Sequence, residues 1–345
     1  MNKKQKLIYR FAFAIWWMCA KMPVFIHYLF ADIIYMVLRY VVRYRYRIVN
    51  SNLETSFPSL SQKDRCQLIN KFYHHEADLI VESIYHFSIS KESLMKRMKF
   101  EGVERVEESI NQGRSVALFL GHYCNWEWIS SLPLWLSDKS RSLQLYHPLE
   151  NPVFDRLIGY TRERMGSTNI PMAQSIRHIM KYRNEGKPVV VGFIGDQVPI
   201  WESLNYWVDF LNHDTPVMTG GERIARKMGM DCYYVHIRKE KRGHYVAAFH
   251  LITDKVKETP EHYVTEQYYA RLEENIKQYP EYWLWTHNRW KRSRQGFIDH
   301  LIREQRWYEL DNLRFFDHAH PEGQPAADVD PDIENKKQKG GYKKE

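Results

Sequence analysis

Short runs of apolar residues alternate with longer helical patterns along most of this chain. The most compact runs occupy 115–120 and 189–194, and further strand-like runs occupy 232–237 and 245–252. Strands that are apolar on both faces are typical of a sheet covered by helices. The alternation therefore predicts an α/β fold with a mixed, mostly buried sheet and flanking helices. Helical candidates lie at 125–136, 151–165, 173–185, 219–228 and 262–279.

The net charge of the protein resides in its first 50 residues. The chain has a net charge of +8, and this segment alone holds nine basic residues against one acid, Asp32. The most apolar stretches, 11–20 and 22–38, lie beside these basic residues. Apolar bulk with tryptophans and flanking cations is typical of a segment that binds an anionic membrane. The basic residues are Lys3, Lys4, Lys6, Arg10, Lys21, Arg39, Arg43, Arg45 and Arg47.

Residues 1–48 are accordingly predicted to form an N-terminal membrane anchor made of helices. The anchor either spans the bilayer or lies in its interface, and the alternative is a soluble amphipathic helix pair that covers the core. Lys21, Pro23, His27 and Asp32 interrupt the apolar stretch, so no run reaches the roughly 20 residues of a regular spanning helix. A mean hydropathy of −0.58 excludes a polytopic membrane protein.

The rest of the chain divides into two parts. Residues 49–312 contain the alternating strand and helix patterns and are predicted to form one α/β domain. Residues 313–345 are rich in Pro, Gly and charged residues and are predicted to be a disordered tail. The four cysteines show neither a disulfide framework nor the spacing of a metal site, so no metal is predicted.

The most informative segment is 118–127, which places His122 and Glu127 five residues apart. On a continuous helix their side chains would lie roughly 140° apart, and on a continuous strand they would point to opposite faces. They can meet only if the chain turns between them. An apolar strand that ends at Gly121, followed by Asn125 as the N-cap of a helix, provides that turn.

This turn places His122 at the carboxyl edge of a strand, where open α/β sheets bind ligands. Glu127, in the first helical turn, can then reach the imidazole. An acid that binds a histidine fixes its tautomer and stabilises the imidazolium, so the pair is predicted to be a general base that deprotonates a hydroxyl group. The alternatives are a glutamate favoured by the helix dipole and a histidine that is only hydrogen-bonded.

Sequence motifs for other reaction classes are missing. The chain has no G-x-S-x-G nucleophile elbow after a strand, no P-loop and no G-x-G-x-x-G segment. A general base without a nucleophile in the protein suits direct transfer between two bound substrates.

Six segments resemble, in order, those of one enzyme family. Residues 121–127, Gly-His-Tyr-Cys-Asn-Trp-Glu, are similar to the H-x4-D/E motif of the lysophospholipid acyltransferase superfamily. They resemble more closely the G-H-x-G-N-W-E motif of the bacterial lipid A biosynthesis (late, lauroyl/myristoyl-type) acyltransferases. Departures are Cys124 for Gly, Asn288 for Arg and Trp290 for Phe. The other similar segments are 47–58, 162–166, 195–197, 215–229 and 280–291.

The resemblance implies a membrane-bound enzyme with a glycerolphosphate-acyltransferase-like fold. Members of this family transfer a fatty acyl group from an acyl carrier protein thioester, or in some relatives from CoA, to a hydroxyl group of a lipid A precursor. The implied partners are the acyl carrier protein and an anionic membrane lipid, with acyl-ACP or acyl-CoA as co-substrate, no further cofactor and no nucleic acid. The expected location is the cytoplasmic face of the bacterial inner membrane.

The resemblance also implies roles for individual residues. His122 corresponds to the catalytic base and Glu127 to its partner. Arg164 matches an arginine of the family and would hold the developing oxyanion or a lipid phosphate, and the alternative is a surface arginine. Asn125 is a substrate-binding candidate whose simpler role is that of a helix cap.

Two further segments provide substrate-binding candidates. Asp196 and Gln197 follow an apolar run at the ligand edge of the sheet and would shape the site, and a turn is the alternative. Arg289 and Lys291 lie in a cationic segment, 287–294, that would contact lipid phosphates or the acidic carrier protein. A solvated charged end is the alternative here, and a nucleic-acid site is disfavoured because no nucleic-acid module accompanies the segment.

Three other functions are compatible with this sequence. The nearest is O-acylation of another membrane lipid, such as an aminolipid or a lysophospholipid, because no motif encodes the acceptor. A membrane-associated binding protein with an inactive site is disfavoured by the presence of both His122 and Glu127. A hydrolase would result if water replaced the acceptor.

Overall fold

The computed structural model describes residues 2–306 of the chain, so the predicted tail at 313–345 lies outside the described residues. A π-helical turn, Val37–Val41, follows the second α-helix, and a 3₁₀ helix, Trp126–Leu134, follows His122. The α-helices are α1 (Lys3–Ala20), α2 (Val24–Met36), α3 (Tyr46–Ser56), α4 (Gln62–His86), α5 (Lys91–Arg97), α6 (Val103–Asn111), α7 (Pro152–Glu163), α8 (Ser175–Asn184), α9 (Gly220–Met228), α10 (Tyr263–Gln278) and α11 (Arg294–Arg303).

The strands of the described residues are β1 (Met98–Glu101), β2 (Val116–Leu120), β3 (Arg141–Tyr146), β4 (Thr168–Pro171), β5 (Val189–Ile194), β6 (Trp207–Phe210), β7 (His213–Pro216), β8 (Asp231–Lys241) and β9 (His244–Thr253). Seven of them form one sheet in the order β1-β9-β8-β2-β5-β3-β4. Its neighbours are parallel except β8 and β9, which form an antiparallel hairpin. The short strands β6 and β7 pair separately and antiparallel.

The compact apolar runs of the sequence, now β2 and β5, are neighbours inside this sheet. All five residues of β2 and the first three of β5 are buried. The register pairs Val116 with Val190 and Leu120 with Ile194, so the two strands end at the same edge. The prediction of an α/β fold with a mixed, mostly buried sheet and flanking helices is confirmed.

The helix α2 packs along α4 and makes polar contacts with α4 and with the β8–β9 turn. The Tyr28 hydroxyl donates to Glu82 Oε1 at 2.9 Å, and Arg242, at the β8–β9 turn, pairs with Asp32 at 2.6 Å. Ala31 is fully buried in an apolar cluster with Ala77 and Val81 of α4. Polar residues within the apolar N-terminal sequence therefore attach α2 to the α/β domain.

The opposite side of the N-terminal helices exposes large apolar side chains. Among the described residues, Val24–Val41 is long and apolar enough to cross a membrane, with a mean hydropathy of 1.5 and 17% of the window buried. This criterion rests on length and composition alone, so membrane attachment stays a prediction. The exposed apolar residues include Leu7, Ile8, Phe11, Ile15, Trp17, Met18, Phe25, Leu29, Phe30, Ile33, Met36, Val37, Tyr40, Val41 and Val42.

Candidate active site

The shared edge of β2 and β5 brings His122 and Asp196 together. His122 Nδ1 lies 2.7 Å from Asp196 Oδ1, and the backbone N–H of His122 donates to Asp196 Oδ2 at 2.8 Å. The indole N–H of Trp283 donates to the same Oδ2 at 2.8 Å. Asp196 is buried, so its carboxylate is held by three donors in a fixed position.

The ionisation of Asp196 determines which nitrogen of His122 is basic. Burial alone would raise the pKa of Asp196, but the His122 imidazole and the hydrogen bonds from Trp283 and the His122 backbone hold that pKa below its ordinary value. An ionised carboxylate only accepts, so the hydrogen bond assigns the proton to Nδ1 of His122. His122 Nε2 is then the basic nitrogen of the ring, and it lies 3.3 Å from the amide nitrogen of Gln197.

Glu127 does not bind His122 in this structure. Its two carboxylate oxygens accept from Arg162, at 2.9 Å from Nε and 2.5 Å from Nη2. Burial on its own would raise the pKa of Glu127, but the Arg162 guanidinium outweighs it and lowers that pKa. The predicted hydrogen bond between Glu127 and the imidazole is therefore wrong for this structure, because Asp196, which follows the neighbouring strand β5, takes that position.

Arg162, and not Arg164, reaches the site. Residues two apart at a helix end point in nearly opposite directions, about 200° apart, and both arginines lie at the end of α7. Arg164 donates from Nη1 to the backbone carbonyl of His86 at 3.0 Å, so it caps the end of α4. The prediction of Arg164 as the site arginine needs correction, and Arg162 is the residue that the sequence reasoning missed.

Asn125 has the role of a helix cap. Its side-chain oxygen accepts from the backbone N–H of Trp128 at 3.2 Å, as predicted for the start of the helix. Its amide nitrogen donates to Glu82 Oε2 at 2.7 Å, and the residue is buried. Cys124, before it, has a left-handed backbone with φ of +51°, a conformation that glycine adopts more readily than other residues.

His122, Glu127, Arg162 and Gln197 all line one cavity of about 710 Å³. Its remaining walls are mostly aliphatic. A smaller cavity of about 150 Å³ adjoins it, and the two share Leu145, Met172, Gly192, Ile194 and Met218. A basic nitrogen in a cavity with mostly aliphatic walls matches a substrate with a reactive head and a hydrocarbon chain.

Comparison with known proteins shows the family of this chain. The family model for the bacterial lipid A biosynthesis acyltransferases matches residues 2–292. The chain belongs to this family. It is also 24% identical over 177 residues to a lipid A biosynthesis acyltransferase of Haemophilus influenzae (strain ATCC 51907 / DSM 11121 / KW20 / Rd), which is 51% of this chain and 54% of that protein. The chain thus spans about half the length of this curated relative, and the family resemblance of the sequence is confirmed.

The family segment at 280–291 forms hydrogen bonds with the residues of the site. Besides the bond from Trp283 to Asp196, the backbone N–H of Leu284 donates to the His122 carbonyl at 3.2 Å. This backbone bond and an isolated β-bridge between Tyr123 and Trp283 join the segment to the turn that carries His122. The aromatic and apolar residues of this family signature therefore position the histidine and its carboxylate through a connected hydrogen-bond network.

The two cationic candidates of the same segment lie away from the cavity. Arg289 is fully buried, where it donates to the Pro216 carbonyl at 2.6 Å, and Lys291 is exposed. His287 accepts from the backbone N–H of Val198 at 3.0 Å, and burial together with Arg289 lowers its pKa to about 4. Arg289 and Lys291 therefore do not face a common surface, because the first is buried and the second is exposed.

Gly121 allows the backbone to come close to the His122–Asp196 pair, and replacing this glycine tests whether the close approach is needed for the reaction. A Cβ at this position would lie 2.8 Å from Leu272 Cδ1 and 3.1 Å from Asp196 Oδ2. We expect Gly121→Ala to displace the carboxylate and to lower kcat/KM for acyl transfer at least about tenfold, as measured by steady-state kinetics. Gly159→Ala, whose Cβ would lie 3.6 Å from its nearest neighbour, is the matched control. Wild-type kinetics of Gly121→Ala would contradict the prediction.

Proposed function

We propose that this protein is an acyltransferase that moves a fatty acyl group from a carrier thioester to a hydroxyl group of a lipid A precursor. The observation that carries the proposal is the His122–Asp196 pair at the polar end of an apolar cavity, in a chain that belongs to the lipid A biosynthesis acyltransferase family. Acyl carrier protein or CoA carries the acyl group, and no further cofactor takes part.

The reaction follows from the geometry of His122. Its Nε2 accepts the proton of the acceptor hydroxyl, and the oxygen attacks the thioester carbonyl to give a tetrahedral intermediate. The carbon–sulfur bond then breaks, and the imidazolium returns its proton to the leaving thiolate. Asp196 stabilises the imidazolium while it exists. The products are an ester and a free thiol.

Arg162 and Glu127 act as a unit in this proposal. Among the described residues that line the cavity, Arg162 is the only lysine or arginine, so its guanidinium is the positive charge available to the developing oxyanion. Glu127 binds two of its nitrogens and fixes its plane. The role of Glu127 in catalysis is then to orient Arg162, and the role first assigned to Arg164 passes to Arg162.

The proposed location is the cytoplasmic face of the bacterial inner membrane, with the N-terminal helices lying in the interface. The contacts of Tyr28 with Glu82 and of Asp32 with Arg242 bind α2 along the α/β domain, which favours an interfacial helix over one that spans the bilayer. The exposed apolar side chains would enter the lipid, and the nearby basic residues would contact anionic headgroups.

Polar substitutions on α2 test this attachment. We expect the triple variant Phe25→Gln, Leu29→Gln, Ile33→Gln to move from the membrane fraction to the soluble fraction, because these side chains are 70%, 59% and 52% exposed and supply the apolar contact with lipid. Its thermal unfolding midpoint should stay near the wild-type value. The control replaces Ile176 and Met180, which are exposed on α8, and should remain membrane-bound. A triple variant that still sediments with membranes would overturn the interfacial assignment.

Mass spectrometry of lipids from bacteria with and without the gene tests the function itself. We expect loss of the gene to remove one acyl chain from lipid A, and the gene on a plasmid to restore it, whereas a plasmid carrying His122→Ala should not. An unchanged lipid A with an altered aminolipid or phospholipid profile would replace the proposed acceptor with another membrane lipid.

A further inference from the structure

A second cavity of about 460 Å³ adjoins the catalytic one. It lies between the chain that follows α2, the middle turns of α4, and the segment after Trp283. The residues that matter for its chemistry are Leu38, Arg45, Glu76, Ile80, Gln197 and Thr286. Gln197 also lines the catalytic cavity, and its amide nitrogen lies 3.3 Å from His122 Nε2. The two cavities therefore share the residue that faces the basic nitrogen.

The second cavity is lined in part by a segment that also exposes apolar side chains at the surface of the protein. Val37, Tyr40, Val41 and Val42, in the segment that contributes Leu38 to its wall, are all exposed. A lipid whose chains remain among these side chains would find the cavity beside them. The catalytic cavity, with its mostly aliphatic walls, already has the features needed for the acyl chain of the donor.

Arg45 provides a positive charge at this cavity, and its backbone adopts an unfavourable conformation. Its backbone φ is +51°, in the left-handed region, and Arg43 shares that conformation with a φ of +53°. Such backbone conformations are uncommon in residues other than glycine and concentrate at functional sites. Arg45 Nη1 donates to the Thr286 carbonyl at 3.1 Å, which leaves its other nitrogens available to an anion.

Glu76 would oppose an anion only if it were ionised. Burial raises the pKa of this carboxyl to about 8, so it is largely protonated near neutral pH. A protonated carboxyl donates a hydrogen bond. The polar lining at Arg45 and Glu76 then presents donors to a bound oxyanion.

We propose that the second cavity binds the anionic headgroup of the acceptor lipid, with Arg45 contacting a phosphate, so that the acceptor hydroxyl reaches His122 past Gln197. The donor acyl chain and the acceptor then enter by separate routes and meet at the base. This assignment rests on the proposed function, because it requires a reaction between two bound lipids.

The test measures the KM of each substrate with purified full-length protein in mixed micelles. The donor is lauroyl-acyl carrier protein, and the acceptor is a lipid A precursor with free 3-hydroxyacyl chains. We expect Ile80→Trp, which fills the cavity, and Arg45→Gln, which removes the charge, each to raise the acceptor KM at least about tenfold and the donor KM less than about twofold, with partial recovery in Arg45→Lys. Ile176→Trp on α8 is the control and should change neither constant.

The outcomes separate this inference from the proposed function. A wild-type protein that transfers nothing to the lipid A precursor would refute the function itself. A wild-type protein that transfers normally, with variants that raise only the donor KM, would assign the second cavity to the donor. Variants with two unchanged KM values would show that neither substrate uses the cavity, and either of these last results would overturn the inference alone.

Discussion

Replacement of His122 by alanine is expected to lower kcat/KM for acyl transfer by a factor of about 10² to 10⁴, the range for loss of a positioned general base. The side chain supplies Nε2, which faces the cavity, while its Nδ1 is occupied by Asp196. Steady-state kinetics with a fixed acyl thioester and varied acceptor measure the effect. The variant should bind membranes as the wild type does, because the substitution leaves the exposed apolar side chains of the N-terminal helices unchanged.

A histidine outside the cavity provides the control for this experiment. His178 lies on α8, where its Nε2 lies 3.3 Å from Gln174 Oε1 at the surface, and His178→Ala should retain wild-type kinetics. Circular dichroism and the thermal unfolding midpoint show whether each variant is folded. A folded His122→Ala protein with near wild-type kcat/KM would remove the general-base assignment.

The parts of the fold that the sequence predicts are those with local signals. The runs that became β2 and β5 are apolar on both faces, and Asn125 is a standard N-cap, so both follow from residue type and spacing. The strands β3 and β4 carry polar residues such as Arg141 and Asn169 and gave no such pattern. They form because the neighbouring strand offers hydrogen-bond partners, which is a tertiary effect.

The difference between local signals and tertiary contacts also explains why the predictions for Glu127 and Arg164 were wrong. The sequence pairs Glu127 with His122 because a turn between them would bring the two side chains together, but the distance that matters is across the β2–β5 pair. Asp196 lies 74 residues away in the chain and 2.7 Å away in space. The aspartate after the apolar run at 189–194 was a usable signal, since parallel neighbours end at one edge. Whether Arg162 or Arg164 reaches the site depends on which side of α7 faces the cavity, and the spacing of residues in the sequence does not reveal that.

Asp196→Asn is expected to lower kcat/KM by up to about 10⁴-fold, the loss seen when the carboxylate partner of a catalytic histidine becomes an amide. The carboxylate of Asp196 accepts from Trp283, from the His122 backbone and from His122 Nδ1. An asparagine has one oxygen for these donors, so its amide nitrogen would face an N–H group and the imidazole would lose its fixed tautomer. The same kinetic assay measures the loss, and a thermal unfolding midpoint close to that of the wild type separates it from unfolding.

Double variants show through which residue each acid acts. If Asp196 works only through the imidazole, then adding Asp196→Asn to His122→Ala should cause little further loss, because residues that act as a unit are not additive. Glu127→Gln should instead be non-additive with Arg162→Gln, its partner in the ion pair, and close to additive with His122→Ala. The opposite result, in which Glu127→Gln has no effect once His122 is absent, would mean that Glu127 moves onto the imidazole when substrates bind. The sequence-based pairing would then describe the reacting enzyme, and the pair seen here would describe its resting state.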